Sequence, residues 1–177
     1  NSFNDNYYTE DSALMPQSAY GDAKKKCENF ITEMSSILNF NYVVFRLPPM
    51  LIENSMSNLA KLFFIVKKGI PILSFRIGDK NERSFLSYQL LLSSIKILID
   101  DTSKINNQIF NLADEIAIST NDLFKKIGIQ INKEPKIIYL PDFIFYQMIR
   151  FNRLKLILCQ LYGNFNISSD KFKNTYL

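Results

Sequence analysis

The sequence predicts an α/β protein with a mainly parallel sheet, and three observations carry that expectation. Stretches with apolar residues at three- and four-residue steps take turns along the chain with short β-branched and aromatic runs, the order expected of alternating helices and strands. The clearest short run, residues 42–47, is apolar with almost no polar alternation, as in a strand covered on both faces. No internal repeat or low-complexity tract breaks the alternation.

The elements follow in order. Residues 1–16 read as a polar loop. A long helix runs from Ser18 or the adjacent turn to about residue 38, with Ala23, Cys27, Phe30, Ile31, Met34 and Ile37 recurring at helical spacing, and residues 39–41 end it. The strand at 42–47 stops at Pro48 and Pro49. Residues 52–57 form a loop, 58–68 a helix closed by Gly69, and 71–75 a short strand. A turn at 78–83 leads to a short strand at 85–88 and a helix at 89–99. Residues 108–112 form a strand ending at Ala113 and Asp114, and a helix starts at Ser119 or Thr120 and ends near 127. A strand at 136–139 precedes Pro141. Residues 143–162 read as one long helix charged only at Arg150, Arg153 and Lys155, ended by Gly163, with a short helical segment at 167–174.

Composition bounds the chemistry. The chain has 177 residues, 47% of them hydrophobic, which is globular and about one domain in size. Its uncharged stretches, such as 84–95 and 105–113, fall short of the roughly 18–20 residues a membrane-spanning helix needs, so none is expected. There is no histidine, which excludes His-based triads, His-ligated zinc and His general bases, and Cys27 and Cys159 stand too far apart for a paired-cysteine metal or redox site. No metal is expected. Two isolated cysteines without a signal-peptide pattern fit a reducing, cytoplasmic setting, with both thiols buried as small hydrophobes. The net charge of +4 is spread over short lysine clusters, so a nucleic-acid surface is not required. A few cations around a pocket would equally gather phosphate-bearing ligands. Asn1 is neither an initiator methionine nor one of the small residues that its removal exposes, so a piece of a longer chain is expected.

The motif with chemical content is Tyr20-Gly-Asp-Ala-Lys24. Residues four apart share a helix face, so the ammonium stands close to the phenol. A free phenol titrates near ~10 and is a weak base at neutral pH, and a neighbouring positive charge stabilises its ionised form. Such a pair can move a proton from a sugar hydroxyl. By spacing alone the pair is weak evidence, because chance supplies about one in a chain of this composition, and a surface pair on an exposed turn reads equally well.

The surrounding residues add specificity. The run Tyr8-Thr-Glu-Asp-Ser-Ala-Leu-Met-Pro-Gln-Ser-Ala-Tyr-Gly-Asp-Ala-Lys24, with Glu28 one turn on, resembles the active-site helix of the extended short-chain dehydrogenase/reductase family, particularly its nucleotide-sugar epimerases, dehydratases and reductases. Phe45-Arg-Leu-Pro-Pro49 resembles the buried strand and loop that pass the nicotinamide. Asn58 and Leu59 resemble the start of the substrate-domain helix, Gly69-Ile-Pro-Ile the turn after it, Asn81-Glu-Arg-Ser-Phe85 a substrate-domain strand, and Phe110-Asn-Leu-Ala-Asp114 a late strand of the cofactor domain. Order and spacing agree from about residue 8 to residue 171.

The resemblance implies the C-terminal part of a Rossmann-type parallel sheet plus a small α/β substrate-binding lobe. Residues 1–50 would close the NAD(P)-binding domain and carry its active-site helix; residues 51–177 would be mainly the lobe, with about 85–114 returning to the Rossmann side. It implies NAD or NADP as cofactor and a UDP-sugar or related nucleotide-sugar as substrate, with Tyr20 as acid/base. Lys24 would steady the phenolate and hold the nicotinamide ribose, and Pro48 and Pro49 would line the nicotinamide pocket. Asn58 and Arg83 would bind the substrate diphosphate, for which Arg offers a planar donor fork. Asn58 also reads as a helix cap and Arg83 as a solvated turn arginine. A homodimer through the Tyr20 helix, no nucleic acid, a cytoplasmic location and a place in polysaccharide biosynthesis are further implications.

The chain departs from the family pattern in places. Leu51-Ile52-Glu53 stands where Tyr-Gly-Pro is usual, Pro49 replaces a frequent Asn, and Gln89-Leu90 stands where Asp-Asn is common, which puts substrate contacts in doubt. The Gly-rich phosphate loop and the Ser/Thr that would polarise the sugar oxygen are not among these residues, so this chain alone is expected to be inactive. Two other readings stand beside the epimerase/dehydratase. One is a 4-keto-sugar-nucleotide reductase. The other is a diverged non-catalytic nucleotide-sugar-binding or interaction module, with residues 143–162 as an apolar partner helix.

Overall fold

The computed structural model describes residues 7–16, 18–53 and 58–176. In chain order the elements are α1 (Ala19–Leu38), β1 (Val43–Arg46), α2 (Asn58–Lys68), β2 (Ile72–Phe75), α3 (Tyr88–Asp100), β3 (Gln108–Asn111), α4 (Thr120–Gln130), β4 (Ile137–Leu140), α5 (Asp142–Met148), α6 (Asn152–Tyr162) and α7 (Asp170–Tyr176). Strand and helix alternate as the sequence predicts, and both sheets are parallel: β1 pairs with β3, and β2 with β4. The chain divides into two compact units. The first gathers Tyr8–Pro48, Leu86–Asp114 and Ile167–Leu177; the second contains Pro49–Phe85 and Glu115–Asn166, together with Tyr7 among the described residues.

In the first unit, β1 and β3 run in register from Val43 opposite Gln108 to Arg46 opposite Asn111. Phe110 is fully buried and meets Phe172 edge-on at 5.5 Å, and Phe172 meets Phe45 at 5.4 Å, so α7 closes one side of the strand pair with aromatic rings. β1 is half-buried along its length rather than fully buried as expected, and among the described residues β3 is its only strand neighbour. The long helix forms as its sequence dictates. The Ser18 hydroxyl accepts the Gly21 N–H at 3.1 Å, and Asn39, at φ 54°, closes the other end in the left-handed region. Ser35 is its one buried residue, and Cys27 is exposed while Cys159 is half-buried, which corrects the expectation that both thiols are buried. Cys27 lies beside Glu28 in sequence, but only Glu28 is turned to β1, where it meets Arg46.

Residues 85–88 are not a strand. The Ser87 hydroxyl instead accepts the Leu90 N–H as an N-cap, so the helix opens at Tyr88, and Asp114 fixes Ser87 by accepting its N–H at 3.0 Å and its hydroxyl at 2.8 Å.

In the second unit α2 and α4 cover β2, and Phe63, Val66, Ile72, Phe85, Leu123, Phe124 and Ile127 form the larger core. Gly128 lets α4 lie against the following loop: a Cβ there would come within 2.6 Å of the Lys133 carbonyl oxygen. A second cluster of Phe75, Phe145, Leu158 and Tyr162 holds α5 and α6. These are two helices, not the single one expected at 143–162, since Phe151 leaves the helical region at φ −90°, ψ 117°. Around Asn121, which is fully buried, lies a polar network: its carboxamide accepts the Ser74 hydroxyl at 2.5 Å and donates to the Phe75 carbonyl at 3.1 Å and to Asp79 at 2.9 Å, while Ser74 and Tyr162 share a bond at 3.0 Å. No helix among the described residues is long and apolar enough to cross a membrane.

Candidate functional site

The structure brings Tyr20 and Lys24 together on the first two turns of α1. Their four-residue spacing stacks them on one face, and the Lys24 ammonium lies over the Tyr20 ring, 5.4 Å from its centre. Both side chains are open to solvent, Tyr20 to 72%. The helix start is fixed by the Ser18 cap and by the close approach of Pro16, whose Cβ would stand 3.1 Å from a Cβ on Gly21. Nearby, Lys25 donates to the Leu14 carbonyl at 3.4 Å.

One turn beyond Lys24, Glu28 receives the Arg46 guanidinium in a two-point fork, with Nε at 3.1 Å from Oε2 and Nη2 on Oε1. Arg46 Nη1 donates to the Glu10 carbonyl at 2.8 Å, and the Glu10 carboxylate accepts the Asn111 N–H at 2.7 Å. Neither Arg46 nor Glu10 was singled out by sequence reasoning. The available signal was a charge inside the otherwise apolar run 42–47, which in a half-buried strand needs a partner. Pro48, the second residue after β1, is buried, and Pro49 is exposed.

The other two predicted residues belong to the second unit. Asn58 opens α2, and its side chain lies outside the described residues. Arg83 is held by its own backbone, exchanging 3.0 Å hydrogen bonds with Ile118 and bridging Phe165. Its Nη1 donates to the Gly163 carbonyl at 2.8 Å, and the guanidinium lies 5.9 Å from the centre of the Phe165 ring. Burial lowers the Arg83 pKa from its ordinary value, and among the described residues no carboxylate forms an ion pair with it. It is therefore not a solvated turn arginine. A half-buried guanidinium with donors to spare is suited to an anion, and phosphate oxygens match its fork.

The comparisons with known proteins agree with this architecture. No family model matches the chain. In sequence it is similar to the UDP-glucose 4-epimerase of Vibrio cholerae, 29% identical over 127 residues that make up 72% of this chain and 38% of that protein. In structure it is similar to RMD from Pseudomonas aeruginosa complexed with NADPH, with TM-score 0.62, 13% identity and coverage of 96% of this chain and 53% of that one. It is also similar to the dTDP-glucose 4,6-dehydratase of Bacillus anthracis in complex with NAD, with TM-score 0.64, 16% identity and coverage of 99% and 51%. The fold is thus α/β of the Rossmann-like kind found in epimerases and dehydratases. Sequence and fold together bear out the resemblance to the NAD-dependent epimerase/dehydratase branch of the extended short-chain dehydrogenase/reductase family, of the nucleotide-sugar type. The chain spans about half the length of the solved chains it matches and less than half of the curated relative.

Proposed function

We propose that the chain is the C-terminal part of an NAD(P)-dependent nucleotide-sugar epimerase or dehydratase, in which Tyr20 is the acid/base. The observation that carries this reading is the Lys24 ammonium held over the solvent-open Tyr20 ring on a capped helix. The donor set fits a nicotinamide nucleotide: the exposed Lys24 ammonium offers three donors to ribose hydroxyls, and Pro48 and Pro49 follow the carboxyl end of a parallel strand, where such folds bind nucleotides. The nicotinamide, when bound, supplies the hydride chemistry.

The chain's own residues do the rest. As phenolate, Tyr20 Oη takes the proton of a sugar hydroxyl as that carbon is oxidised, and returns it when the carbonyl is reduced. Lys24, one helical turn on, keeps its ammonium over the same ring, beside the nucleotide it is proposed to hold. In the second unit Arg83 grips the diphosphate of the substrate, with the Gly163 carbonyl and the Phe165 ring holding its plane, and Asn58 contributes from the start of α2. Residues 1–50 would close the cofactor domain and 51–177 form mainly the substrate lobe, with about 85–114 returning to the former. The full-length protein is proposed to act as a cytoplasmic homodimer in polysaccharide biosynthesis.

The test is turnover of UDP-sugars by the full-length protein and by its Tyr20→Phe variant. Loss of about a thousandfold or more in kcat, with circular dichroism unchanged, is the expected result. Undiminished turnover by Tyr20→Phe would refute the assigned base, and net consumption of NAD(P)H would mark a 4-keto-sugar reductase instead.

A further inference from the structure

We infer that Arg46 is a positioning residue that sets where Tyr20 and Lys24 stand relative to the carboxyl end of β1; the inference rests on the reading of Tyr20 as the acid/base. Tyr20, Lys24 and Glu28 follow one another at four-residue steps, so they form a single stripe on α1. Little else locates that half of the helix. The buried residue of α1, Ser35, lies near the far end, and every position from Ala19 to Cys27 is exposed except Gly21, which touches Pro16. Among the described residues the position of the stripe therefore depends on the Ser18 cap and Pro16 against Gly21 at one end, on Arg46 against Glu28 at the other, and on one long, exposed bond from Lys25 to the Leu14 carbonyl between them.

The Arg46 contact is built to define orientation as well as distance. Its fork makes two parallel bonds to the Glu28 carboxylate, and the two side chains are only 20% and 14% exposed, so solvent screens them little. The remaining terminal nitrogen binds the Glu10 carbonyl, and the Glu10 carboxylate binds the Asn111 N–H at the end of β3. The backbone carbonyl of Arg46 accepts the Leu112 N–H at 3.1 Å. One residue thus ties α1, the segment that leads into it, β1 and β3 into a single rigid corner. A lysine there would keep the charge and lose the planar fork.

Two measurements test this. Hydrogen exchange on the chain itself should show the α1 amides of residues 20–28 opening about tenfold faster in Arg46→Met than in the parent, with residues 33–38 little changed. In the full-length protein, Arg46→Met should lower kcat about tenfold to a hundredfold while KM for the nucleotide-sugar moves less than about threefold, with partial recovery in Arg46→Lys, because misplacing a catalytic group by an ångström costs rate more than binding. Should Arg46→Met fail to fold, Glu28→Gln, which keeps the shape and halves the fork, carries the same two readouts. Unchanged exchange and unchanged kcat beside an inactive Tyr20→Phe would overturn the positioning role and leave the acid/base reading intact. A fully active Tyr20→Phe would overturn that reading and, with it, this inference.

Discussion

Replacing Asn121 by alanine tests the polar network that organises the second unit. Asn121 is fully buried and serves three partners, the Ser74 hydroxyl, the Phe75 carbonyl and Asp79. In Asn121→Ala the exposed Asp79 regains water at small cost, and Ser74 keeps its bond to Tyr162. The Phe75 carbonyl loses its side-chain donor inside the core, which costs about 1–3 kcal/mol, and the space left by the carboxamide adds about 1. The sum is about 3 kcal/mol. With a urea slope of about 2 kcal/mol per molar, the unfolding midpoint should fall by about 1.5 M. Asn121→Asp keeps the volume but replaces the donor with a carboxylate facing Asp79, so it should be the more damaging of the two. Urea unfolding followed by tyrosine fluorescence and circular dichroism reads both variants. A midpoint shift under about 0.3 M for Asn121→Ala, or a better tolerated Asn121→Asp, would refute this account of the network.

Burial raises the Tyr162 pKa above the ordinary phenol value, with the Ser74 hydrogen bond working in the opposite sense. The folded state therefore holds its proton more tightly than the unfolded chain, so this stabilisation is complete below about pH 10 and is lost as pH rises through the folded-state value. Tyr162→Phe should cost about 1 kcal/mol at neutral pH and shrink the alkaline loss of stability; an unchanged alkaline limb in urea titrations would count against the assignment. Gly128→Ala should destabilise by about 2 kcal/mol or more, since the new methyl meets the Lys133 carbonyl at 2.6 Å and the Pro135 ring at 2.7 Å. Thermal melting would show it, and a melting temperature equal to that of the parent would exclude so tight a contact.

The elements legible in the sequence are those whose ends carry their own chemistry. The Ser18 cap, the helical apolar spacing and the left-handed Asn39 define α1 within a residue of the expected bounds, and the Pro48-Pro49 pair ends β1 for want of backbone donors. The break between α5 and α6 was hidden because no proline or glycine marks it. Phe145 and Leu158 both pack into the same small cluster as Tyr162, and the tertiary contacts of that cluster override a locally helical pattern. At the site, the Tyr20 and Lys24 spacing was visible because helical geometry alone brings residues four apart together. The Arg46 fork was not, since its partners Glu28 and Glu10, and Asn111, which binds Glu10 in turn, come from three separate stretches. Arg83 was visible as a residue, but its burial and its seat on Gly163 and Phe165 depend on segments about eighty residues away.

The first unit is assembled from three stretches that the chain visits in turn, and among the described residues the aromatic rings that meet Phe110, those of Phe172 and Tyr176, come from the last of them. During synthesis, Phe45 and Phe110 can therefore gain these ring contacts once Phe172 and Tyr176 have left the ribosome. The second unit, by contrast, has all its described core in hand by Tyr162. The order in which the two cores can close is thus the reverse of the order of α1 and α2 along the sequence: the unit that holds α1 and β1 is completed after the unit that holds α2 and β2.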